Sequence, residues 1–284
     1  MSGTTIHQFT SKLLTELSDY YPEYEIRQMA KLLLQEVLKV SNTELLMMNR
    51  EQLDEKQLQI LDGYKEQLKQ HIPLQYIIGH TEFYNLQFSV SPAVLIPRPE
   101  TEELVNWILT DQLPINSLLD IGTGSGCIAT ALKANMPNTQ VTAWDISEEA
   151  LAVAKQNAKH LKQEVQFELI DVLNHQPNAE KFDCIVSNPP YVRELEKSMM
   201  EANVLENEPH TALFVKDTDP LLFYRSIALL AKQILNPQGY LYFEINEYLA
   251  KDMEAMLSTA GFNNIEYRKD INGKDRMMKA RLKS

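Results

Sequence analysis

The sequence predicts an α/β fold: a mainly parallel sheet with helices on both faces and an antiparallel edge, preceded by a small helical bundle and a β-hairpin. Three observations carry this. From about residue 99 onward, short apolar runs alternate with helical patterns. Over the first seventy or so residues, apolar positions instead recur at three- and four-residue steps. Between the two lies a stretch rich in β-branched and aromatic residues, bounded by turn formers.

Residues 1–72 read as three to five short helices. In YEIRQMAKLLLQEVLKV, Ile26, Met29, Ala30, Leu33, Val37 and Val40 form one face of an amphipathic helix. DEKQLQILDGYKEQLKQHI repeats the pattern with Leu58, Leu61 and Leu68, and SNTELLMM offers a Ser/Asn/Thr cap before a short apolar turn. The bundle contains no catalytic constellation. Residues 73–98 read as a hairpin and extended linker, with Gly79 and Asn85 as turn signals and Pro92 and Pro97 stiffening the exit. Pro99 suits the first turn of a helix, with Glu100, Glu102 and Glu103 at its positive end. The domain boundary falls here, and 99–284 forms the α/β domain.

In that domain, strands are expected at 117–122, 140–145, 165–170, 182–187 and 239–245, with helices at 125–135, 147–161 and 219–235. A further helix follows 245, then β-rich pieces around 263–268 and 275–282 that suit an antiparallel edge.

Bulk properties narrow the function. A net charge of −12 and a pI near 5.0 lower the expectation of a naked nucleic-acid substrate, which usually meets a basic face. No apolar stretch approaches the roughly 18 residues of a membrane span. The N-terminus lacks a basic region followed by an apolar block, so a cytoplasmic enzyme is expected. Cys127 and Cys184 lack CxxC spacing and are expected to pack as small apolar groups; no metal site is expected.

The first strand ends in LLDIGTGSGCIA, and a helix starts directly after it. Gly122, Gly124 and Gly126 let the backbone turn sharply and approach a ligand at the carboxyl ends of the strands. The spacing is not GxGxxG, because position 127 is Cys, and no Gly-Lys-Ser/Thr follows to make a P-loop. It resembles the cofactor loop of class I S-adenosylmethionine methyltransferases, where Asp120 precedes the glycines. Asp145 ends the second strand, and an ionised carboxylate there can accept both hydroxyls of a ribose. It could also cap the next helix, for which Ser147 is an equally good candidate. Asp171 and Val172 stand at the tip of the third strand, where such enzymes contact adenine. Asp171 could accept from the exocyclic amine while Val172 packs on the ring, or Asp171 could simply be a loop residue.

The fourth strand runs into Asn188-Pro189-Pro190-Tyr191. These residues suit a planar nitrogen bearing two hydrogens. The Asn188 oxygen can accept one N–H and the Pro189 carbonyl the other, its direction restricted by the flanking rings. Tyr191 offers a flat face. No group here has an ordinary pKa near 7, which fits positioning rather than general-base chemistry. Adenine N6, cytosine N4 and a glutamine amide all qualify.

The chain further resembles the release factor glutamine methyltransferases, often called the HemK or PrmC family. The likeness rests on the segments 73–105 (PLQYIIGHTEFYNLQFSVSPAVLIPRPETEELV), LLDIGTGSGCIA, SNPPYV, ENEPHTAL and KDINGKDRMMKARL, in that order. It implies a Rossmann-like class I methyltransferase domain behind a helical domain that helps dock the substrate. The implied donor is S-adenosylmethionine, leaving S-adenosylhomocysteine. The implied acceptor is the side-chain amide nitrogen of the glutamine in the GGQ motif of class-1 peptide release factors. On this likeness Gly122, Thr123, Gly124, Ser125, Gly126, Asp145, Asp171, Val172 and Asn188 hold the cofactor, while Asn188, Pro189, Pro190 and Tyr191 hold the glutamine. The chain departs from the family pattern at Pro220, at Val172 and at Asn246, where a glycine is common and Asn is expected to tolerate left-handed φ. The chemistry of Arg98 and Glu100 stays open. Two rival readings are a DNA or rRNA amino-methyltransferase and a non-catalytic interaction module.

Overall fold

The computed structural model describes residues 4–176, 180–200 and 202–283; the outermost positions of the expected segments, 1–3 and 284, lie outside the described residues. The chain divides into two compact units. One holds the residues up to Gly79 together with Ala202–Asn207, and the other holds the rest.

The first unit opens with α1 (Ile6–Leu17), α2 (Glu23–Leu38), α3 (Asn42–Met47), α4 (Glu55–Lys69) and α5 (Leu74–Ile78). Three of these start with the same device. Thr5 and Gln8, Ser41 and Glu44, and Asp54 and Gln57 each exchange side-chain and backbone hydrogen bonds across the first turn. These boxes satisfy donors that a helix start otherwise leaves free. Ile26, Met29, Ala30 and Leu33 of α2 are buried with Phe9, Leu13, Leu61 and Leu68, whereas Val37 and Val40 are only partly buried. Lys65 is buried too, its Nζ 2.8 Å from Glu16 and 2.9 Å from Asp62, which ties α1 to α4. α5 is a departure from the extended conformation expected after residue 73. Leu74 and Ile77 insert into the same core, so packing overrides their local preference.

The second unit begins with a hairpin of β1 (His80–Phe83) and β2 (Leu86–Ser89). Tyr84 and Asn85 form its turn, both with positive φ, as a two-residue hairpin loop demands. Next come α6 (Pro99–Thr110), β3 (Ser117–Ile121), α7 (Cys127–Asn135), β4 (Gln140–Asp145), α8 (Glu148–His160), β5 (Gln166–Leu169) and β6 (Phe182–Ser187). A loop region holds β7 (Val192–Arg193), a 3₁₀ turn (Glu194–Met199), α9 (Ala202–Asn207, part of the first unit), α10 (His210–Leu213) and β8 (Phe214–Val215). The chain closes with α11 (Leu222–Ile234), β9 (Leu235–Glu244), α12 (Ala250–Ala260), β10 (Phe262–Lys269) and β11 (Asp275–Leu282).

Among the described residues, seven strands form one sheet in the order β10-β11-β9-β6-β3-β4-β5. β3, β4, β5, β6 and β9 pair in parallel, and β11 is antiparallel to both of its neighbours. Both faces are covered, which is why the central strands read as apolar runs. On one face Leu119, Ile121, Leu241 and Phe243 pack with Tyr224 and Ile227 of α11 and Met253 and Leu257 of α12. On the other, Leu118, Cys184, Val186 and Tyr242 pack with Leu104 and Trp107 of α6, Ile128 and Leu132 of α7, and Phe83 and Phe88 of the hairpin.

Candidate active site

The carboxyl ends of β3, β4 and β6 open onto a cavity of about 520 Å³. Its wall includes Gly122, Thr123, Gly124, Ser125, Asp145, Asp171, Val172, Asn188, Pro189 and Pro190. A larger depression of about 780 Å³ lies at the opposite ends of the strands, among Lys133, Lys155 and Lys159, and holds none of the motif residues. Ligands of parallel α/β sheets bind at the carboxyl ends, so the first cavity is the site.

The loop that floors the cavity is held from several sides. Gly122 and Thr123 donate their backbone N–H groups to the carbonyl of Trp144, at 2.8 and 3.0 Å. All three glycines have positive φ. A Cβ on Gly126 would also stand 3.0 Å from the Ala154 Cβ, so α7 could not approach α8 this closely with any other residue there. Gly126 therefore shapes the loop from behind and is not among the residues lining the cavity.

Beneath the loop, Asp120 is fully buried. Its Oδ2 accepts from the Thr123 hydroxyl at 2.6 Å and from the Ala129 N–H at 3.2 Å. Its Oδ1 has no partner among the described residues. Burial pushes the carboxyl up to about 7, with Thr123 and Ala129 pulling the other way. Asp145 accepts from Gly124 N–H at 2.8 Å and from Ser147 N–H at 2.9 Å. Burial raises this carboxyl, and those N–H groups lower it. The cap of α8 is Ser147, which accepts from Ala150 N–H, so Asp145 keeps acceptor capacity toward the cavity. Asp171 sits at the third strand's tip as expected, but its oxygens accept from Leu173 N–H and the Asn174 amide, at 2.9 and 2.6 Å. Cys127 reaches the cavity wall, yet burial pushes its thiol up to about 12, so it is no thiolate nucleophile.

At the fourth strand's tip, Asn188 Nδ2 donates to the Thr101 hydroxyl at 3.3 Å. Thr101 donates to Glu244 Oε2 at 2.6 Å, and Tyr191 donates its hydroxyl to Glu244 Oε1 at 2.8 Å. Tyr191 is not among the residues lining the cavity; it packs against the α11–α12 core. Burial and then the Glu244 charge raise its phenol well above the usual range. Glu244 is raised by its own burial, against the pull of Thr101, Tyr191 and Arg276.

Several residues here had no role assigned from the sequence. Arg98 lines the cavity and pairs with buried Glu208 at 2.6 Å, while Glu208 also accepts from Ile96 N–H. Glu100 accepts from the Asn272 amide at 3.4 Å, a contact to the turn between β10 and β11. Asn246 corrects an expectation. It does not adopt a positive φ; its amide donates to the Tyr191 carbonyl at 3.1 Å and to Glu196 at 3.0 Å. Thr101 and Glu244 were also not anticipated. A lone carboxylate at the end of the apolar run YLYFEI was the one available hint.

Comparison with known proteins now decides the family. Residues 10–79 match the model of the PrmC N-terminal domain, and 101–214 match the methyltransferase small domain. The release factor glutamine methyltransferase of Flavobacterium psychrophilum is 44% identical over 98% of this chain and 99% of its own length. The chain belongs to the release factor glutamine methyltransferase family. The family member of Bacteroides thetaiotaomicron is likewise 44% identical, over 97% of this chain and 99% of its own length. Among solved structures, a methyltransferase from Pyrococcus furiosus superposes with a TM-score of 0.52 at 17% identity, covering 71% of this chain and 91% of that one. That likeness concerns the fold alone. In chain order a family N-terminal helical domain is followed by a methyltransferase sheet.

Proposed function

We propose that the protein methylates the side-chain amide nitrogen (N5) of the glutamine in the GGQ motif of class-1 release factors, in the cytoplasm, with S-adenosylmethionine as donor. One observation carries the reading. The glycine loop, Asp145 and the Asn188-Pro189-Pro190 corner share the wall of a single cavity of about 520 Å³.

The residues fit the donor. Gly122 to Ser125 present backbone rather than bulk to the cavity. Asp145 offers lone pairs to ribose hydroxyls, and Ile170 and Val172 offer an apolar wall to adenine. When bound, S-adenosylmethionine supplies a methyl group on a positively charged sulfur, already activated toward an in-line nucleophile. What the protein must add is alignment at about 3–3.5 Å. Asn188 Oδ1 accepts one N–H of the substrate amide, and the Pro189 carbonyl accepts the other. Two acceptors fix the plane of the nitrogen and turn its remaining electron density toward the donor. They also face the hydrogen that must leave as a proton, to solvent water, once the nitrogen gains a fourth substituent. The protein acidity of the chain and its family likeness favour a protein amide over a nucleobase as the occupant.

The test is label transfer. The protein is incubated with methyl-labelled S-adenosylmethionine and a release factor, the same factor with its GGQ glutamine replaced, or DNA and rRNA. Label is expected on the intact factor alone. Label that survives the replacement, or that appears on nucleic acid, would overturn the proposal.

A further inference from the structure

We propose that Glu244, acting through Thr101, fixes which end of the Asn188 amide faces the cavity, and so is a positioning residue for the methyl-accepting nitrogen. The inference deepens the function proposed above and rests on an acceptor that brings N–H hydrogens.

A side-chain amide has two nearly isosteric orientations, and only one presents oxygen to the cavity. Asn188 lines the cavity, and its Oδ1 has no protein partner among the described residues. What selects this orientation is a chain of single hydrogens. Glu244 is 1% exposed, and both its oxygens accept from hydroxyls, Oε2 from Thr101 and Oε1 from Tyr191. The Thr101 hydroxyl owns one hydrogen and lies 2.6 Å from Glu244 Oε2, so that hydrogen is committed. Toward Asn188 the Thr101 oxygen can then only accept, which draws Nδ2 to it at 3.3 Å. Turned over, Asn188 would set oxygen against oxygen with no hydrogen between them. Its Nδ2 would then point at a substrate nitrogen that also donates.

Glu244 holds the other motif side chain directly, through the Tyr191 hydroxyl at 2.8 Å. One carboxylate at the end of β9 therefore sets the polarity of Asn188 and anchors Tyr191. This accounts for the otherwise unfavourable burial of a carboxyl group. An apolar residue in place of Glu244 would free the Thr101 hydrogen.

The experiment compares wild type, Thr101→Val, Thr101→Ser, Glu244→Gln and the pair Asn188→Ala with Asn188→Ala/Thr101→Val. Turnover of a release factor and binding of S-adenosylhomocysteine are measured for each. Thr101→Val keeps the shape and removes the hydrogen chain. Its kcat is expected to fall about 10²-fold while product binding changes by less than about threefold. Thr101→Ser restores turnover to within about threefold of wild type. Glu244→Gln, which can give a hydrogen to Thr101, lowers kcat at least about tenfold. In the Asn188→Ala background, Thr101→Val adds less than about a twofold loss, because its route is already gone.

Full turnover in Thr101→Val or in Glu244→Gln overturns the inference. So does an undiminished loss on top of Asn188→Ala, which marks a merely structural role. A wild-type protein that transfers nothing to the factor overturns the function itself, and the two failures are thereby distinguished.

Discussion

Asp120 lies beneath the loop that the cofactor is proposed to cross, and its two oxygens are treated differently. Oδ2 is bonded twice and Oδ1 not at all among the described residues. Burial lifts the group from 3.8 to about 7, and the Asp145 charge adds to this. The folded state thus binds the proton more tightly than the unfolded chain. The stability this contributes is full below about 3.8 and is lost as the pH rises through about 7. Relative to Asp120→Asn, wild type should lose on the order of a few kcal/mol between pH 4 and 7 in urea unfolding. A difference that stays flat across that range contradicts the assignment. A second residue-scale prediction concerns Asn188→Ala. It should cut turnover about 10²-fold or more while leaving cofactor binding nearly intact, because its cavity-facing oxygen serves the acceptor. Equal losses in titration calorimetry and turnover would mean a different main role. The places of the glycine loop, Asp145 and Asn188-Pro189-Pro190 were legible because each is a local string at a strand end, whereas Tyr191, expected at the acceptor, packs against the core. Arg98 was not, since its partner Glu208 stands 110 positions away. Thr101 and Glu244, 143 positions apart, were hidden for the same reason.

At the scale of elements, the strands of the large sheet were legible because burial on both faces makes them short apolar runs. The short elements between Val192 and Val215 were not expected, and two expected regions differ from the structure. α5 has only five residues, too few for helical spacing to outweigh its β-branched composition. β9 starts at Leu235, before the expected 239, since Pro237 and Gly239 disguise a strand that is irregular there. The start of β6 is fastened by Asp183. Its carboxylate accepts from Asn116 and Ser117 N–H at 2.8 and 3.1 Å and from the Asn236 amide at 2.7 Å, joining the starts of three strands. Against its desolvation, the Asn236, Asn116 and Ser117 hydrogen bonds hold its pKa below 3.8. The stabilisation is therefore present above about 3.8 and fades as the pH falls through the lower folded value. Asp183→Ala should cost about 2 kcal/mol at pH 7, less at pH 3, in matched denaturation curves. An equal loss at both pH values would show that the charge is not what holds these strands.

At the scale of the molecule, the fold and the function have different sources. The fold is shared at 17% identity with a methyltransferase from Pyrococcus furiosus, so it specifies a scaffold and not a substrate. What narrows the acceptor is relatedness that spans both units, at 44% identity over 98% of the chain. The first unit has its own core, capped helices and buried Lys65, and none of its described residues lines the cavity. On the proposed function, one side-chain amide of a release factor receives the methyl group at the Asn188 corner. Peptide mass spectrometry of the factor after incubation with protein and S-adenosylmethionine checks this. A single added methyl is expected on the glutamine of the GGQ peptide, absent when Asn188→Ala replaces wild type. A methyl group on any other residue, or an unmodified GGQ peptide beside an active enzyme, would contradict it.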